Sequence, residues 1–429
     1  MLQRKLLALF TILVMALAPV AAQARGGGGG GAGGFGAGRP FGAGRFDTTR
    51  AETRAIARAL QHRDSVGRPN NQRARAAALD RDASGRPVVR GEIIAVMPDA
   101  AVFEAARQLN LTVRRQDDLA ALGLTSATLQ APDGMTAAEA LAALRRAVPG
   151  GTFDYAHIYD PSGEAGTGGA YGVLPADRRH AKQVTVGMID GGIATRHRAL
   201  RRARIEMRSF AAGRKTLPTV HGTAVASLLV GQDGSFAGYL PGATLLAADV
   251  FGGAADGGSA VEIARALNWL AEREVPVSNI SLAGPPNALL AAAVKAFLAK
   301  GHVLVAAAGN DGPAALPNYP ASYPGVVAVT SVDSERRIAF DANRVQSGFA
   351  APGVAVRAAN LPEGYTAFSG TSYATPAVAA GFALLLPRPG AAEAKAACET
   401  MMQSSQRITD ADTLFLIAPS ALVHSAATQ

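Results

Sequence analysis

One cysteine occurs in 429 residues. Cys398 has no partner of its own type, so no intramolecular disulfide can form, whatever the redox state of the compartment. Its setting in Ala396-Ala397-Cys398 reads as a small packed side chain in a helix, which argues against cysteine-peptidase chemistry. Charged residues are scarce at 17%, and Gly and Ala are heavily used, a composition that suits closely packed strands and helices. Beyond the N-terminus no apolar run approaches the ~20 residues needed to cross a bilayer. The body of the chain also lacks a basic excess. Residues 1–90 hold 15 Lys/Arg against 5 Asp/Glu, and the rest hold 27 against 28, so the net charge of +9 belongs to the N-terminal region. A body that binds nucleic acid carries a basic face of its own, and no nucleic-acid partner is expected.

The N-terminal segments are distinct. Residues 1–24 read as a secretory signal: Arg4 and Lys5, an apolar run from Leu6 to Leu17, then Ala22-Gln23-Ala24 as a small-residue cleavage site. The run is too short for a membrane anchor, so export is expected, to the periplasm or the extracellular space. Residues 25–46 are glycine-rich and unable to bury enough surface to fold, which reads as a flexible tether. Residues 47–90 form a linker rich in Arg and Ala, partly helical, with a break at Gly67-Arg68-Pro69. Its arginines read as a solvated face, with attachment to an anionic cell surface as the alternative role.

A compact unit is expected over 91–160. Strand-like stretches at 92–97, 111–115, 124–129 and 152–158 and helix-like ones at 100–109 and 137–148 give the order βαββαβ, a small α+β ferredoxin-like domain. The glycine-rich link Ser162-Gly163-Glu164-Ala165-Gly166-Thr167-Gly168-Gly169 follows. Over 175–429 strands and helices alternate, which argues for an α/β domain with a mostly parallel sheet and helices on both faces. Strands are expected at 184–189, 244–250, 275–282, 302–308 and 326–332, and helices at 221–231, 260–273, 288–300 and 371–386.

Functional groups in such a sheet gather beyond the carboxyl ends of its strands. Asp190 ends the first strand, and Asp249 is a rival at the end of another. His221 opens a helix, and Ser372 opens another after Gly370, with Pro376 expected in that helix's first turn. Taken singly, an aspartate there is a turn residue, a serine is a helix cap, and Asn310 in Gly309-Asn310-Asp311-Gly312 is a turn. Together they have a chemical logic. A serine hydroxyl needs a base as it attacks, a neutral imidazole is such a base near pH 7, and a carboxylate orients it. The tetrahedral intermediate needs donors such as the Ser372 N–H at a helix N-terminus and the Asn310 amide.

The segments Ile189-Asp190-Gly191-Gly192-Ile193, His221-Gly222-Thr223-Ala224-Val225-Ala226, Ala307-Ala308-Gly309-Asn310 and Gly370-Thr371-Ser372-Tyr373-Ala374-Thr375-Pro376 resemble the four signature motifs of the subtilisin-like serine peptidases. Their order, Asp, His, Asn, Ser, is that family's, and so are the intervals of 31, 89 and 62 residues. The resemblance covers roughly 180–386. It implies a serine endopeptidase acting on proteins or peptides through an acyl-enzyme, with Asp190, His221 and Ser372 catalytic and Asn310 in the oxyanion hole. It further implies a substrate groove walled by Gly257, Gly258, Ser281, Leu282, Ala283 and Gly284, with Ala307 and Ala308 lining the primary pocket. The 91–160 unit is similar to the family's propeptides, which are intramolecular chaperones and inhibitors, so self-cleavage is expected at about 159–175. Departures are Gly191 in place of a hydroxyl residue, Tyr373 in place of methionine beside the nucleophile, and Ala283 in place of a groove glycine. No carboxylate falls in the pocket segments, which favours an apolar residue before the cleaved bond. No calcium-ligand loop is recognisable, and neither metal nor cofactor is expected. A catalytically silent binding protein on the same fold is the alternative, opposed by the intact set of catalytic residue types. A third reading makes the glycine- and arginine-rich N-terminus an attachment module with a protease appended. Lipase-type hydrolases are disfavoured, because Ser372 lacks a Gly-x-Ser-x-Gly setting.

Overall fold

The computed structural model describes residues 75–166, 181–211, 215–253, 257–408 and 413–417. The signal-like segment, the glycine-rich tether, most of the Arg/Ala-rich linker, residues 167–180 of the link and the last twelve residues lie outside them.

The first unit runs β1 (Leu79–Arg81), β2 (Pro87–Val96), α1 (Ala100–Gln108), β3 (Thr112–Leu119), β4 (Leu124–Gln130), α2 (Ala137–Ala147) and β5 (Thr152–His157). The expected βαββαβ order holds, in an antiparallel sheet where β2 pairs with both β4 and β5, and β3 with β4. One expectation needs correction: the sheet begins ahead of residue 91, because β1 pairs antiparallel with Pro87–Val89. Residues 79–81 and 87–90, read as linker, are therefore strand, joined by a turn. Alternation along β2 splits its side chains between two cores. Ile93 and Ala95 face Leu129, Leu141, Leu144 and Phe153 beneath the unit's helices, whereas Ile94 and Val96 face away, into the core of the larger domain.

Two short strands, β6 (Asp160–Pro161) and β7 (Glu164–Gly166), follow. The larger domain then runs β8 (Thr185–Asp190), β9 (Arg204–Ser209), α3 (Val220–Val230), the small hairpin of β10 (Gln232–Asp233) and β11 (Phe236–Ala237), β12 (Thr244–Asp249), α4 (Ala260–Glu272), β13 (Val277–Ile280), β14 (Leu282–Ala283), α5 (Ala288–Ala299), β15 (Val303–Ala307), β16 (Val327–Val332), β17 (Ser347–Pro352), β18 (Val356–Ala359), β19 (Tyr365–Ser369), α6 (Thr371–Leu385), α7 (Ala391–Gln403), β20 (Gln406–Arg407) and β21 (Thr413–Leu416). Nine strands form one sheet in the order β20-β21-β17-β16-β15-β13-β8-β12-β9, parallel throughout except at β20. Helices α3 and α6 pack on one face and α4 and α5 on the other, each face over its own apolar cluster. The expected parallel sheet covered on both sides is what forms. Strands β9, β17 and β21 were not legible. In β9, Arg204-Ile205-Glu206-Met207-Arg208-Ser209, charged residues alternate with apolar ones at the sheet's edge.

The crossing from β8 to β12, β13 and β15 brings the carboxyl ends of these strands to one rim. Asp190 and Asp249 stand opposite each other there in register. The helices that start at this rim, α3 and α6, carry His221 and Ser372 in their first turns.

Candidate active site

Asp190 is fully buried at the end of β8, and one carboxylate oxygen accepts the Gly191 N–H at 2.7 Å. The same oxygen lies 2.9 Å from His221 Nδ1. His221 can stand there because Thr219 caps α3, its hydroxyl accepting from the Gly222 N–H at 3.0 Å. The pair has the geometry in which a carboxylate holds Nδ1 protonated and leaves Nε2 free to take a proton. Asp249, the rival, is not part of it. Its carboxylate accepts from Phe251 and Gly252 N–H and closes a turn, and burial, helped by the charge of Asp190, holds its pKa above the ordinary value. The departure at Gly191 has a structural cause. A β-carbon there would come within 2.5 Å of the Thr219 hydroxyl, so the capping threonine occupies the space where a larger residue's side chain would stand.

Ser372 is the second residue of α6, so it does not cap the helix; the cap position is Gly370, at φ 137°. Pro376 also departs from expectation. It lies in the second turn, where its missing N–H would have bonded to the Ser372 carbonyl. That carbonyl is not orphaned, because the Ser281 hydroxyl donates to it at 3.0 Å, and Asn279 donates to the Ser281 hydroxyl at the same distance. The proline thus opens a backbone acceptor that ties the serine-bearing turn to the end of β13. The Ser372 hydroxyl itself donates to the Ser281 carbonyl at 3.0 Å rather than to His221, and His221 Nε2 is buried with no hydrogen-bond partner among the described residues.

Asn310 is joined to the same turn. Its amide oxygen accepts the Thr371 N–H at 2.9 Å, which points the amide nitrogen the other way. That nitrogen is buried and unpaired among the described residues. A β-carbon on Gly370 would lie 2.7 Å from Asn310 Nδ2 and 3.1 Å from the Ser162 carbonyl oxygen, so both border one small space.

The chain's own link fills the groove. Tyr159 donates its N–H to the Gly258 carbonyl at 2.9 Å, and β6 pairs antiparallel with β14, Pro161 opposite Leu282 and Asp160 opposite Ala283. The Ser162 N–H is shared between the Ser281 carbonyl at 3.4 Å and Ser372 Oγ at 3.2 Å. The Ser162 carbonyl accepts the Ser372 N–H at 3.1 Å. Beyond it β7 pairs antiparallel with β19. A peptide bond, Ser162–Gly163, therefore lies over the serine, with its oxygen on the donor side. Of the residues expected to wall the groove, Gly258, Ser281, Leu282 and Ala283 meet this strand through backbone. Gly284 meets the Tyr159 ring, and Gly257 packs on the Phe251 backbone. Ala307 and Ala308 are buried at the end of β15, beside the Asn310 turn.

Two features escaped sequence reading. Tyr159 is fully buried, its ring against Gly284 and its hydroxyl donating to the Pro285 carbonyl at 2.7 Å. Burial pushes its phenol well above the ordinary value, so it remains a donor. Ser281 was read as a groove wall, and its hydroxyl bond to the serine turn had no local signal. Cys398 is half-buried away from these residues, with burial, then Glu399, raising its thiol pKa, as its reading as an inert side chain implies.

Comparison with known proteins bears on the larger domain. Residues 181–417 match the model of the Subtilase family. The chain is similar to subtilisin DY of Bacillus licheniformis, 36% identical over 235 residues that span 51% of this chain and 84% of that protein. It is also similar to subtilisin Savinase of Lederbergia lenta, 37% identical over 169 residues, 38% of this chain and 62% of the relative. Among solved structures it resembles fervidolysin of Fervidobacterium pennivorans, described as a keratinolytic enzyme related to subtilisin. That superposition has a TM-score of 0.66 and 19% identity, and covers 78% of this chain and 61% of the other, a likeness of fold.

Proposed function

This chain belongs to the subtilase family and is a serine endopeptidase, and we propose that it is exported as a precursor which cuts itself at Ser162–Gly163. In this reading Ser372 is the nucleophile, His221 the general base and acid, Asp190 the residue that orients His221, and Asn310 Nδ2 with the Ser372 N–H the oxyanion donors. The observation that carries it is the Ser162 carbonyl, held by the Ser372 N–H at 3.1 Å while its peptide spans the groove as an added strand.

The steps follow from the contacts. The Ser372 hydroxyl turns from the Ser281 carbonyl to His221 Nε2, which takes its proton as Oγ bonds to the Ser162 carbonyl carbon. Charge develops on the Ser162 oxygen, where the two amide donors stabilise it. His221 then gives the proton to the Gly163 nitrogen, the Ser162–Gly163 bond breaks, and Ser162 remains as an ester on Ser372 until water hydrolyses it. The preceding unit stays docked through contacts independent of that bond. Leu122 N–H donates to Asn268, Arg115 and Asp117 face Glu262 and Arg265, and Asp154 accepts from the N–H of Ala288 that starts α5. A released unit that keeps Tyr159 to Ser162 in the groove blocks it, which supports the role of intramolecular inhibitor. The signal-like residues 1–24 support export.

Expression of wild type and Ser372→Ala tests this. The wild type is expected to accumulate a species whose N-terminal sequence starts at Gly163, and Ser372→Ala to remain uncut. Equal sizes for the two proteins would refute the proposal.

A further inference from the structure

The residue after the nucleophile, Tyr373, touches both the base and the residue that follows the cut bond. It is buried, with its ring centroid 5.5 Å from that of His221 and 4.9 Å from that of Phe368. Gly163 lies directly against it. A β-carbon at residue 163 would stand 2.5 Å from Tyr373 Cε2, 3.1 Å from Cδ2 and 3.0 Å from the Ser369 carbonyl oxygen. Separations below 3 Å require something to move, and nothing adjacent is free to do so. The buried ring packs against both His221 and Phe368, and Ser369 is backbone of β19 held in antiparallel pairing. On the opposite side Gly370 presents bare backbone, where a β-carbon would approach Gly163 Cα to 2.6 Å. The backbone conformation points the same way, since Gly163 sits at φ +151°, a region L side chains rarely adopt.

We infer that Tyr373 makes this enzyme selective for glycine immediately after the cleaved bond, so that its substrates are peptides with an X–Gly bond presented as an extended strand. The inference rests on the proposed register of Ser162–Gly163 across Ser372. A linear, flexible side chain beside the nucleophile would yield to a β-carbon, whereas a buried tyrosine ring packed against His221 and Phe368 does not. The selection acts on the acylation step alone, because the residue after the bond leaves with the amine.

The test uses the self-processed enzyme and nonapeptides of sequence Ile-Tyr-Asp-Pro-Ser-X-Glu-Ala-Gly, with X as Gly, Ala or Leu. Active sites are counted with a fluorophosphonate. Wild type should cleave the Gly peptide between Ser and Gly with kcat/KM about 10- to 100-fold above the Ala peptide, the cost of forcing one carbon into a packed contact, and further above the Leu peptide. Tyr373→Phe should keep that ratio, and Tyr373→Ala should reduce it to within about threefold of unity. Should Tyr373→Ala not accumulate, Tyr373→Met takes its place with the same expected loss of selectivity. In the precursor, Gly163→Ala should slow self-cleavage, and Tyr373→Met should relieve that defect. A labelled wild type that cuts Gly and Ala peptides within threefold of each other overturns the selectivity but leaves the peptidase assignment standing. So does a Gly/Ala ratio unmoved by Tyr373→Ala or Tyr373→Met. Labelled enzyme that cuts none of the peptides overturns the register itself, and the selectivity with it.

Discussion

Tyr159 should decide how fast the precursor matures. To sit in the groove, Tyr159 to Ser162 must be ordered, at roughly 1–2 kcal/mol per residue. The backbone bonds along this strand, to Gly258, β14, Ser281 and Ser372, return about 1 kcal/mol each, so pairing alone roughly offsets ordering. The surplus comes from the Tyr159 ring, fully buried against Gly284. Truncating a buried aromatic to Ala costs about 3–5 kcal/mol, and the Pro285 carbonyl loses its hydroxyl donor besides. Without the ring the seated strand becomes a minority state, and cleavage should slow in proportion to its population. The expected order is wild type, then Tyr159→Phe slower by about 3- to 10-fold for the lost hydrogen bond, then Tyr159→Ala slower by about 100-fold or more. The assay is a time course of precursor conversion on a gel. Thermal unfolding of each variant in a Ser372→Ala background shows that the fold survives. A Tyr159→Ala precursor that unfolds cooperatively and converts within threefold of the wild-type rate would refute the assigned role of the ring.

Asn310→Ala should lower kcat by about 10²–10³ with the unfolding midpoint kept within a few degrees, a magnitude established in this same family for loss of one oxyanion donor; turnover within threefold of wild type would remove Asn310 from that role. Gly191→Ser should destabilise the protein by about 1–3 kcal/mol in denaturant titration, because its β-carbon meets the Thr219 cap, and unchanged stability would mean Thr219 is free to move. His302 carries a pH dependence. Its Nδ1 is 2.8 Å from the Val275 carbonyl and its ring stacks on Phe297, and burial depresses its pKa from the ordinary 6.5. The folded state therefore favours the neutral ring. The stability it supplies is complete above the unfolded value and is lost as the pH falls through the depressed one. Urea midpoints measured between pH 8 and pH 4 on Ser372→Ala protein should fall more steeply with His302 present than in His302→Gln; parallel curves would refute it.

Much of the fold was readable because its signals are local. The buried parallel strands β8, β12 and β15 are built on continuous apolar runs, and α4 opens with the capping pair Ser259 and Glu262. Strands whose pattern depends on a neighbour were not readable. β17 is partly exposed, and its extended pairing with β16 and β21 is imposed by sheet position. Pro376 was placed one turn too early although the helix start at residue 371 was legible, and the bond that compensates for the proline comes from Ser281, 91 residues from Ser372.

The identities and order of Asp190, His221, Asn310 and Ser372 stand in the sequence, since the chemistry demands those residue types in those motifs. The motif singles out Asp190, but Asp190 and Asp249 end adjacent strands in register, and only the packing of α3 supplies the contact of 2.9 Å between His221 and Asp190. The same holds for the bond lying over Ser372. The sequence narrows cleavage only to about 159–175, and tertiary structure alone lays Ser162–Gly163 over Ser372. The docked first unit, the buried Tyr159 and the pairing with β14 set the distance along the strand to the nucleophile.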